Sequence, residues 1–390
     1  MRRVVALATR HWRWTLVAWL LLVVVSGAVA PNFVDVATYD DNAFLPSGST
    51  ALEGAYLLEQ GWPEDNFTSS GVVVLLRGDA PLGDPDRDYA RWLVAWMRSE
   101  NAPEGLGRIT THLENEELSD ALTSDDGQAM LIIAGFDVTP FSPIGHEAVI
   151  AVRERIAAQP PPDGLRVMFS GAAGIAYDEN QAIEASVERT ELLTVLLVLV
   201  LVLWVLRSPV AALVPLVTVA AAYIVSLAVV GLLARYGMDV SYLFQVFAIV
   251  IVFGAGTDYA LLILSRYSEE LLLLRNSDGN AVDAVEAVDT AGRHRALIGT
   301  MAVLVGVLAS TAASTMVGFS AQIVAQFGLF RTMGPALAIA VFITFIAGVT
   351  LTPAIMRLFG GWLFWPADPA RLSRSTATPD TDEPANEAPA

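Results

Sequence analysis

Six apolar stretches limit what this sequence can fold into. Each is close to or above the length, about 18 uncharged residues, that crosses the roughly 30 Å hydrocarbon core of a bilayer as a helix. They lie at residues 14–30, 192–206, 210–234, 243–264, 297–320 and 333–356. The sequence therefore predicts a membrane α-helical bundle with six transmembrane helices. A soluble enzyme is disfavoured, because 54% of the residues are hydrophobic and only 16% are charged.

A long polar segment separates the first apolar stretch from the second. Residues 31–190 carry most of the acidic residues, together with Pro and Gly, which is typical of a folded domain in water. The spacing of the apolar residues predicts strands at 71–76, 106–113, 129–135 and 165–170, and helices at 86–100 and 144–158. This β-α-β-β-α-β order is that of the split, ferredoxin-like α+β fold.

The chain is accordingly predicted to divide into six segments. They are an N-terminus with the first transmembrane helix (1–30), the α+β domain (31–190), transmembrane helices two to four (191–265), an amphipathic connector (266–296), transmembrane helices five and six (297–358) and a disordered tail (359–390). The tail prediction rests on the part from Pro366 onward, which consists largely of Pro, Ala, Thr and acids without periodicity.

Arginine placement predicts the orientation, because short cytoplasmic loops are enriched in positive residues. Arginines cluster before the first stretch and after the second, fourth and sixth, whereas the opposite short loops contain only Arg235 and Arg331. Both termini are therefore expected in the cytoplasm and the α+β domain outside it. The small residues at 28–30 also fit a signal-peptide cleavage site, but Pro31 directly after them argues against cleavage.

Composition excludes several classes of function. The formal charge is −18, from 41 acidic residues against 23 arginines and no lysine, which disfavours a nucleic-acid partner. The chain has no cysteine, and His112 and His146 have no second histidine at ligand spacing, so no metal site is expected. No nucleophile–base pair or phosphate-binding loop is visible. We therefore expect neither an enzyme nor a cofactor.

One acid lies deep within an apolar stretch. Asp258 follows Gly254 and Gly256 and precedes Tyr259 in the fourth stretch, and Arg266 marks the cytoplasmic boundary about 12 Å away. Intramembrane acids are costly and usually functional. A carboxyl group in a low-dielectric site favours its protonated form, so such an acid can carry protons when rearrangements change its hydration. The glycines predict close helix packing, and a purely structural role in hydrogen bonding between helices is the alternative.

Hydroxyl side chains in the fifth stretch are candidate partners for this acid. Ser310, Ser314 and Gly318 recur on one helical face, and Thr311 and Thr315 flank them. The stripe is consistent with a small-residue packing face, with a proton path, or with both.

Several motifs resemble the MMPL (mycobacterial membrane protein large) transporters of the resistance-nodulation-division (RND) superfamily. The run from Gly254 to Tyr259 resembles that family's fourth-helix signature, and further matches are Ser265-Arg266, Glu269-Glu270, Arg207-Ser208-Pro209 and Leu351-Thr352-Pro353-Ala354. The resemblance implies a porter-type external domain and proton-driven transport of lipid-like cargo. It also implies that Asp258 and Tyr259 form the proton-relay pair, with Ser310 or Ser314 as an approximate partner.

The resemblance covers one six-helix repeat, whereas family members usually hold two. We therefore expect a homo-oligomer, or a complex with a second half-transporter subunit, in a bacterial plasma membrane. The predicted function is a proton-motive-force-driven transporter subunit that exports lipids or other hydrophobic molecules. The expected partners are that cargo, protons and membrane lipids. The alternative is an accessory or sensor protein, similar to sterol-sensing or translocase-assisting relatives, without cargo export of its own.

Overall fold

The chain folds into two compact units. The computed structural model describes residues 9–29, 33–39, 44–46, 48–61, 70–114, 116–139, 141–277 and 290–365. One unit comprises residues 38–190 and 326–329. The other comprises the described residues before 38, from 191 to 325 and from 330 to 365.

The described elements include three helices that apolar spacing does not predict, at Phe33–Val36, Thr50–Gly61 and Ser119–Leu122, and the others follow one another in the predicted order. The described helices and strands are α1 (Trp12–Val29), α2 (Phe33–Val36), α3 (Thr50–Gly61), β1 (Ser70–Arg77), α4 (Asp84–Met97), β2 (Leu106–Thr110), α5 (Ser119–Leu122), β3 (Ala129–Phe136), α6 (Pro143–Ala158), β4 (Leu165–Ser170), α7 (Gly171–Leu206), α8 (Pro209–Arg235), α9 (Phe244–Ser277), α10 (Thr290–Ser320) and α11 (Gly328–Phe359). Short 3-10 turns lie at Glu116–Leu118, Ala321–Val324 and Gly360–Phe364.

A four-stranded sheet organises the unit at 38–190. Its strand order is β2-β3-β1-β4, and all three neighbouring pairs are antiparallel. Alternate residues of β1 and β3 are buried, and Val73 and Ile132 form one core with Leu93 of α4 and Val149 of α6. Both long helices therefore cover the same face of the sheet.

Asp86 and Pro85 stabilise the beginning of helix α4. The backbone N–H of Gly83 donates to the Asp86 carboxylate at 2.8 Å, and Pro85 stands in the first turn, where a missing N–H has no cost. Asp86 also lies 3.4 Å from the Nε of Arg77 at the end of β1. This pair joins the strand to the start of the helix.

Four helices are long and apolar enough to cross a membrane. Their spans are Pro209–Arg235, Phe244–Leu274, Thr290–Val324 and Gly328–Phe364, found by a search of the described residues. The apolar helix at Trp12–Ala28 is shorter, and the second predicted stretch forms the C-terminal part of the 36-residue helix α7. The chain is thus a helical membrane protein with four candidate spans and a small antiparallel sheet.

Helix α11 packs among the other apolar helices. In its most apolar 18-residue stretch 78% is buried, whereas the corresponding value is 39 to 44% for the other three spans. The indole N–H of Trp19 in α1 donates to Thr350 at 3.0 Å, and the hydroxyls of Thr218 in α8 and Thr352 are 3.2 Å apart. These buried side chains of α1, α8 and α11 thus have polar partners on neighbouring helices.

The connector and the tail differ in part from expectation. Helix α9 continues to Ser277 and α10 begins at Thr290, so the middle of the predicted connector lies outside the described residues. The tail was expected to begin at 359, but residues 360–364 form a 3-10 turn with Leu363 and Phe364 buried. The Phe364 ring stacks on the Tyr267 ring of α9, with ring centroids 6.2 Å apart, so this turn packs against the helix. Residues 366–390 lie outside the described part of the chain.

Candidate functional site

Asp258 lies on an exposed stripe of helix α9. Its neighbours Thr257 and Tyr259 are buried, but Asp258 itself is exposed, as are Gly254 one turn before it and Leu262 one turn after it. Val250 continues the stripe and is 67% exposed. We call this surface, from Val250 through Gly254 and Asp258 to Leu262, the acid stripe. Its residues recur every four positions, so they lie along one side of the helix.

Tyr259 points away from the acid stripe. Only 3% of it is exposed, and its ring meets that of Phe345 in α11 edge-on, with centroids 6.4 Å apart. A side chain at Gly348 would begin 3.3 Å from the Cβ of Tyr259, so glycine allows this close approach. Adjacent helix positions do not face each other, which is why Asp258 and Tyr259 have different surroundings within this chain.

The two glycines before Asp258 have different surroundings. A Cβ at Gly256 would lie 2.6 Å from a methyl of Val219 in α8 and 3.0 Å from a methyl of Thr344 in α11. Gly256 thus sits where three helices meet closely. A Cβ at Gly254 would have no neighbouring heavy atom within 4 Å, because this glycine lies on the acid stripe.

The candidate partners in α10 form hydrogen bonds with their own helix. Ser310 and Thr311 both donate to the carbonyl of Val307, at 2.8 and 3.1 Å, and Thr315 donates to Thr311 at 3.0 Å. Ser310, Thr311 and Ser314 are exposed and Thr315 is half-buried. The structure therefore brings none of these four into a hydrogen bond with Asp258.

The unit at 38–190 contains an ion pair and a histidine whose surroundings change its pKa. Arg153 donates two hydrogen bonds to Asp178, at 2.6 and 2.9 Å, which lowers the pKa of the Asp178 carboxyl and raises that of Arg153. Burial, with a smaller contribution from the charge of Arg87, lowers the pKa of His112. Among the described residues, no group of three or more His, Asp or Glu side chains could hold a metal ion.

One cluster in this unit has no counterpart in the sequence predictions. Arg155 of α6 lies over the rings of Trp92 and Trp96 of α4. The two tryptophans are four positions apart on one helix, which sequence spacing shows. The arginine comes from another helix, and only tertiary structure brings it there.

Comparison with known proteins shows the family. The profile of the MMPL family matches residues 43–385, so the chain belongs to the MMPL family. Relatives include the putative membrane protein ActII-3 of Streptomyces coelicolor, 30% identical over 92% of this chain and 47% of that protein. Others are the putative membrane protein YdgH of Bacillus subtilis, 30% identical over 91% of this chain and 37% of that protein, and a protein named sulfolipid-1 exporter MmpL8 of Mycobacterium tuberculosis, 26% identical over 90% and 31%.

The lengths of these relatives limit what carries over. The chain spans less than half the length of each, between 31% and 47%. Transport by the complete relatives is therefore an expectation for this chain, and its test must include whatever assembly the chain forms.

Proposed function

We propose that this chain is a subunit of a proton-driven membrane transporter that moves lipids or other hydrophobic molecules across or out of the bacterial plasma membrane. Membership of the MMPL family and the names of several relatives support transport at the level of the family. The observation that carries the proton coupling is Asp258, an acid on the surface of an apolar candidate span.

The position of Asp258 has an energetic consequence. Insertion scales assign about 2.5 to 3.5 kcal/mol to a charged Asp at the centre of a membrane helix. Among the described residues, no side chain buries Asp258, which is exposed in the isolated subunit. A protonated carboxyl, a water-filled path or a second subunit can remove the cost. Each of these couples the protonation of Asp258 to its surroundings.

We propose that the hydroxyl side chains of α10 lie close to the level of Asp258 along the two helices. The Glu270 carboxyl group lies 3.7 Å from where a Cβ of Gly299 would be, which sets the register of the two helices. Each residue advances a helix by about 1.5 Å. Counting back along α9 and forward along α10 from this contact, as for an antiparallel pair, Thr311 reaches the level of Asp258.

The acid stripe is the proposed contact surface for a second half of the transporter. It combines a carboxyl group with an open glycine, Gly254, where another helix backbone can approach closely. The occupant is either a second copy of this chain, through an isologous twofold contact, or a different half-transporter subunit. In both cases Asp258 becomes buried between the two halves.

The domain arrangement is part of the same proposal. The helix at Trp12–Val29 and the C-terminal part of α7 are proposed as the first and second of six transmembrane helices. The antiparallel order β2-β3-β1-β4, with both long helices on one face, supports a ferredoxin-like porter-type domain at 31–190. The arginine distribution supports cytoplasmic termini, a cytoplasmic connector at 266–296 and an external α+β domain.

The test is gradient-driven lipid movement by Asp258→Asn. The assembled protein, in liposomes with an imposed pH gradient, is assayed for movement of a fluorescent phospholipid analogue between leaflets. We expect Asp258→Asn to abolish the gradient-dependent part, because the amide cannot take up and release a proton. Asp239→Asn, which changes an exposed acid between α8 and α9, is the matched control and should retain it. Gradient-driven movement that persists in Asp258→Asn contradicts the coupling role.

A further inference from the structure

An arginine and three aromatic rings form a cluster on the helical face of the unit at 38–190. The Arg155 guanidinium carbon lies 4.7 Å from the ring centre of Trp92 and 5.4 Å from that of Trp96. The Tyr89 ring is 5.2 Å from Trp92, and its hydroxyl donates to the carbonyl of Gln159 at 3.0 Å. Tyr89, Trp92 and Trp96 follow one another along one side of α4, and Arg155 reaches them from α6. We call this group the aromatic–arginine cluster.

The cluster is half in the core and half at the surface. Trp92 and Trp96 are partly exposed while their inner edges pack against the core, and Arg155 is also partly exposed. The Nε of Arg155 is buried and has no hydrogen-bond acceptor among the described residues. A buried donor without an acceptor is costly and uncommon in native structures.

Nearby arginines are placed differently. Arg153, two residues before Arg155, pairs with Asp178 at 2.6 Å, and Arg91 on α4 pairs with Asp88 at 2.6 Å. Within the described residues, Arg155 forms no such ion pair, although the chain has 41 acidic residues for 23 arginines. Its guanidinium is held by aromatic faces instead of by a carboxylate.

Stacking leaves part of the guanidinium available. A guanidinium over a ring uses its face, whereas its N–H groups lie in its plane and remain able to donate. Phosphate, sulfate and carboxylate groups match that planar fork of donors. Tryptophan side chains place an apolar ring next to a polar group, which suits the boundary between a headgroup and its alkyl chain.

We propose that the aromatic–arginine cluster binds the headgroup of a single anionic amphiphile, with Arg155 on the charged group and Trp92 and Trp96 on the adjoining apolar part. The inference rests on the proposed function, since it names the chemical class of cargo and a place where the external domain holds it. A free inorganic anion engages only the arginine half of this chemistry.

Photoaffinity labelling tests the proposal on the full-length chain. The protein is placed in phosphatidylcholine nanodiscs and titrated with an alkyl phosphate that carries a diazirine in its chain. The same alkyl chain with an uncharged glycerol headgroup is the comparison probe. Labelled residues are mapped by peptide mass spectrometry, and we expect the phosphate probe to label peptides from 84–97 and 143–158 saturably.

Substitutions assign the two halves of the site. Arg155→Gln should weaken the labelling about ten- to hundredfold, because a hydrogen bond to a charged group is lost. Trp96→Leu keeps the charge and some apolar volume and should weaken it about three- to tenfold, as expected for one ring contact. Arg91→Gln removes an exposed arginine of α4, the helix that also carries Trp96, and should leave labelling unchanged. Circular dichroism of each variant establishes that it is folded, and Trp96→Leu keeps the test valid if Arg155→Gln unfolds.

Three outcomes overturn the proposal. The first is equal labelling of the cluster by the uncharged probe, which would indicate apolar adsorption only. The second is undiminished labelling in folded Arg155→Gln or Trp96→Leu protein. The third is displacement by inorganic phosphate at the same concentration as by a short alkyl phosphate, which would indicate an anion site that ignores the alkyl chain.

The test is separable from that of proton coupling. Asp258→Asn should be labelled like the wild type although it no longer transports. Normal transport by Asp258→Asn with labelling that depends on Arg155 would contradict the coupling and leave the site standing. Lost transport in Asp258→Asn with labelling independent of Arg155 would contradict the site alone.

Discussion

Gly254 and Gly256 are two residues apart on the same helix, yet they differ in what a methyl group would meet. At Gly256 the added Cβ would overlap Val219 and crowd Thr344, whereas at Gly254 it would meet no atom within 4 Å. We expect Gly256→Ala to destabilise the helical unit by about 1 to 2 kcal/mol, since overpacking outweighs the gain in helix propensity. Gly254→Ala is the matched control.

The measurement is the thermal midpoint of each variant in identical nanodiscs that each hold a single copy, so that contacts between copies do not contribute. A lowered midpoint for Gly256→Ala and an unchanged or slightly raised one for Gly254→Ala are expected. Equal midpoints for the two variants would mean that the helices separate enough to accept the methyl group.

His112 gives the unit at 38–190 a pH dependence. Burial and the charge of Arg87 lower the pKa of His112 below its usual value near 6.5. The unfolded chain therefore binds the proton first, so the His112 contribution is complete above about pH 6.5 and is lost as the pH falls towards the folded-state pKa. We expect the midpoint temperature of thermal unfolding to decrease as the pH is lowered from 7.5 to 5.

The variant His112→Gln isolates this contribution. It cannot gain a proton, so its midpoint should vary less over the same pH interval than that of the wild type. The Asp178 carboxyl group takes up its proton below this pH interval, because its pKa is lowered from an already acidic value. Parallel pH curves for wild type and variant would contradict the role of His112.

At the scale of elements, Ser208 joins two chain segments that are far apart in sequence. Its hydroxyl oxygen accepts from the Ala211 backbone N–H at 3.3 Å at the start of α8, and its hydroxyl group lies 2.8 Å from the carbonyl oxygens of Leu363 and Trp365. We expect Ser208→Ala to destabilise the helical unit by about 1 to 2 kcal/mol, through loss of a helix cap and of a buried acceptor's partner.

Thermal unfolding of Ser208→Ala beside Ser310→Ala provides the check. Ser310 is exposed and bonds only to its own helix, so its substitution should cost less than about 0.5 kcal/mol. A Ser208→Ala midpoint as high as that of Ser310→Ala would show that the turn at residues 360–364 is held by its apolar contacts alone.

The sheet illustrates what apolar spacing predicts and where it stops. Strands β1 and β3 lie within one or two residues of their predicted limits, because alternating burial leaves a local pattern of period two. Strand β2 ends at Thr110 rather than 113, and a short 3-10 turn and α5 follow it. Polar residues after Thr110 can bond locally, and such competition leaves no periodic signal.

At the scale of the whole molecule, the acid stripe predicts assembly. A carboxyl group and an open glycine on the surface of a candidate membrane span favour a protein partner over lipid. We expect native mass spectrometry of the nanodisc-embedded chain to show a homo-oligomer, or a stable complex when a second half-transporter subunit is co-expressed. A chain that stays monomeric under both conditions contradicts this surface assignment.

The variant Gly254→Leu tests where the contact lies. A leucine there projects into space that is open in the isolated subunit, so the helical unit should remain folded while the oligomer or complex weakens. Leu262→Ala, four residues beyond Asp258 on the same stripe, removes volume instead and should weaken assembly less. An unchanged mass distribution in Gly254→Leu would place the contact on another face.

Local pattern alone determined four of the six predicted apolar spans, the order of the four strands with α4 and α6, and the resemblance to the MMPL family. These depend on hydrophobic period and on short motifs, which are properties of neighbouring residues. Tertiary structure decided which way each side chain faces: Asp258 outward, Tyr259 against Phe345, Gly256 into a three-helix contact, and Arg155 onto Trp92 and Trp96. The orientation of an apolar helix cannot be read from its own residues when apolar side chains lie all around it, because helices distant in sequence select the buried face.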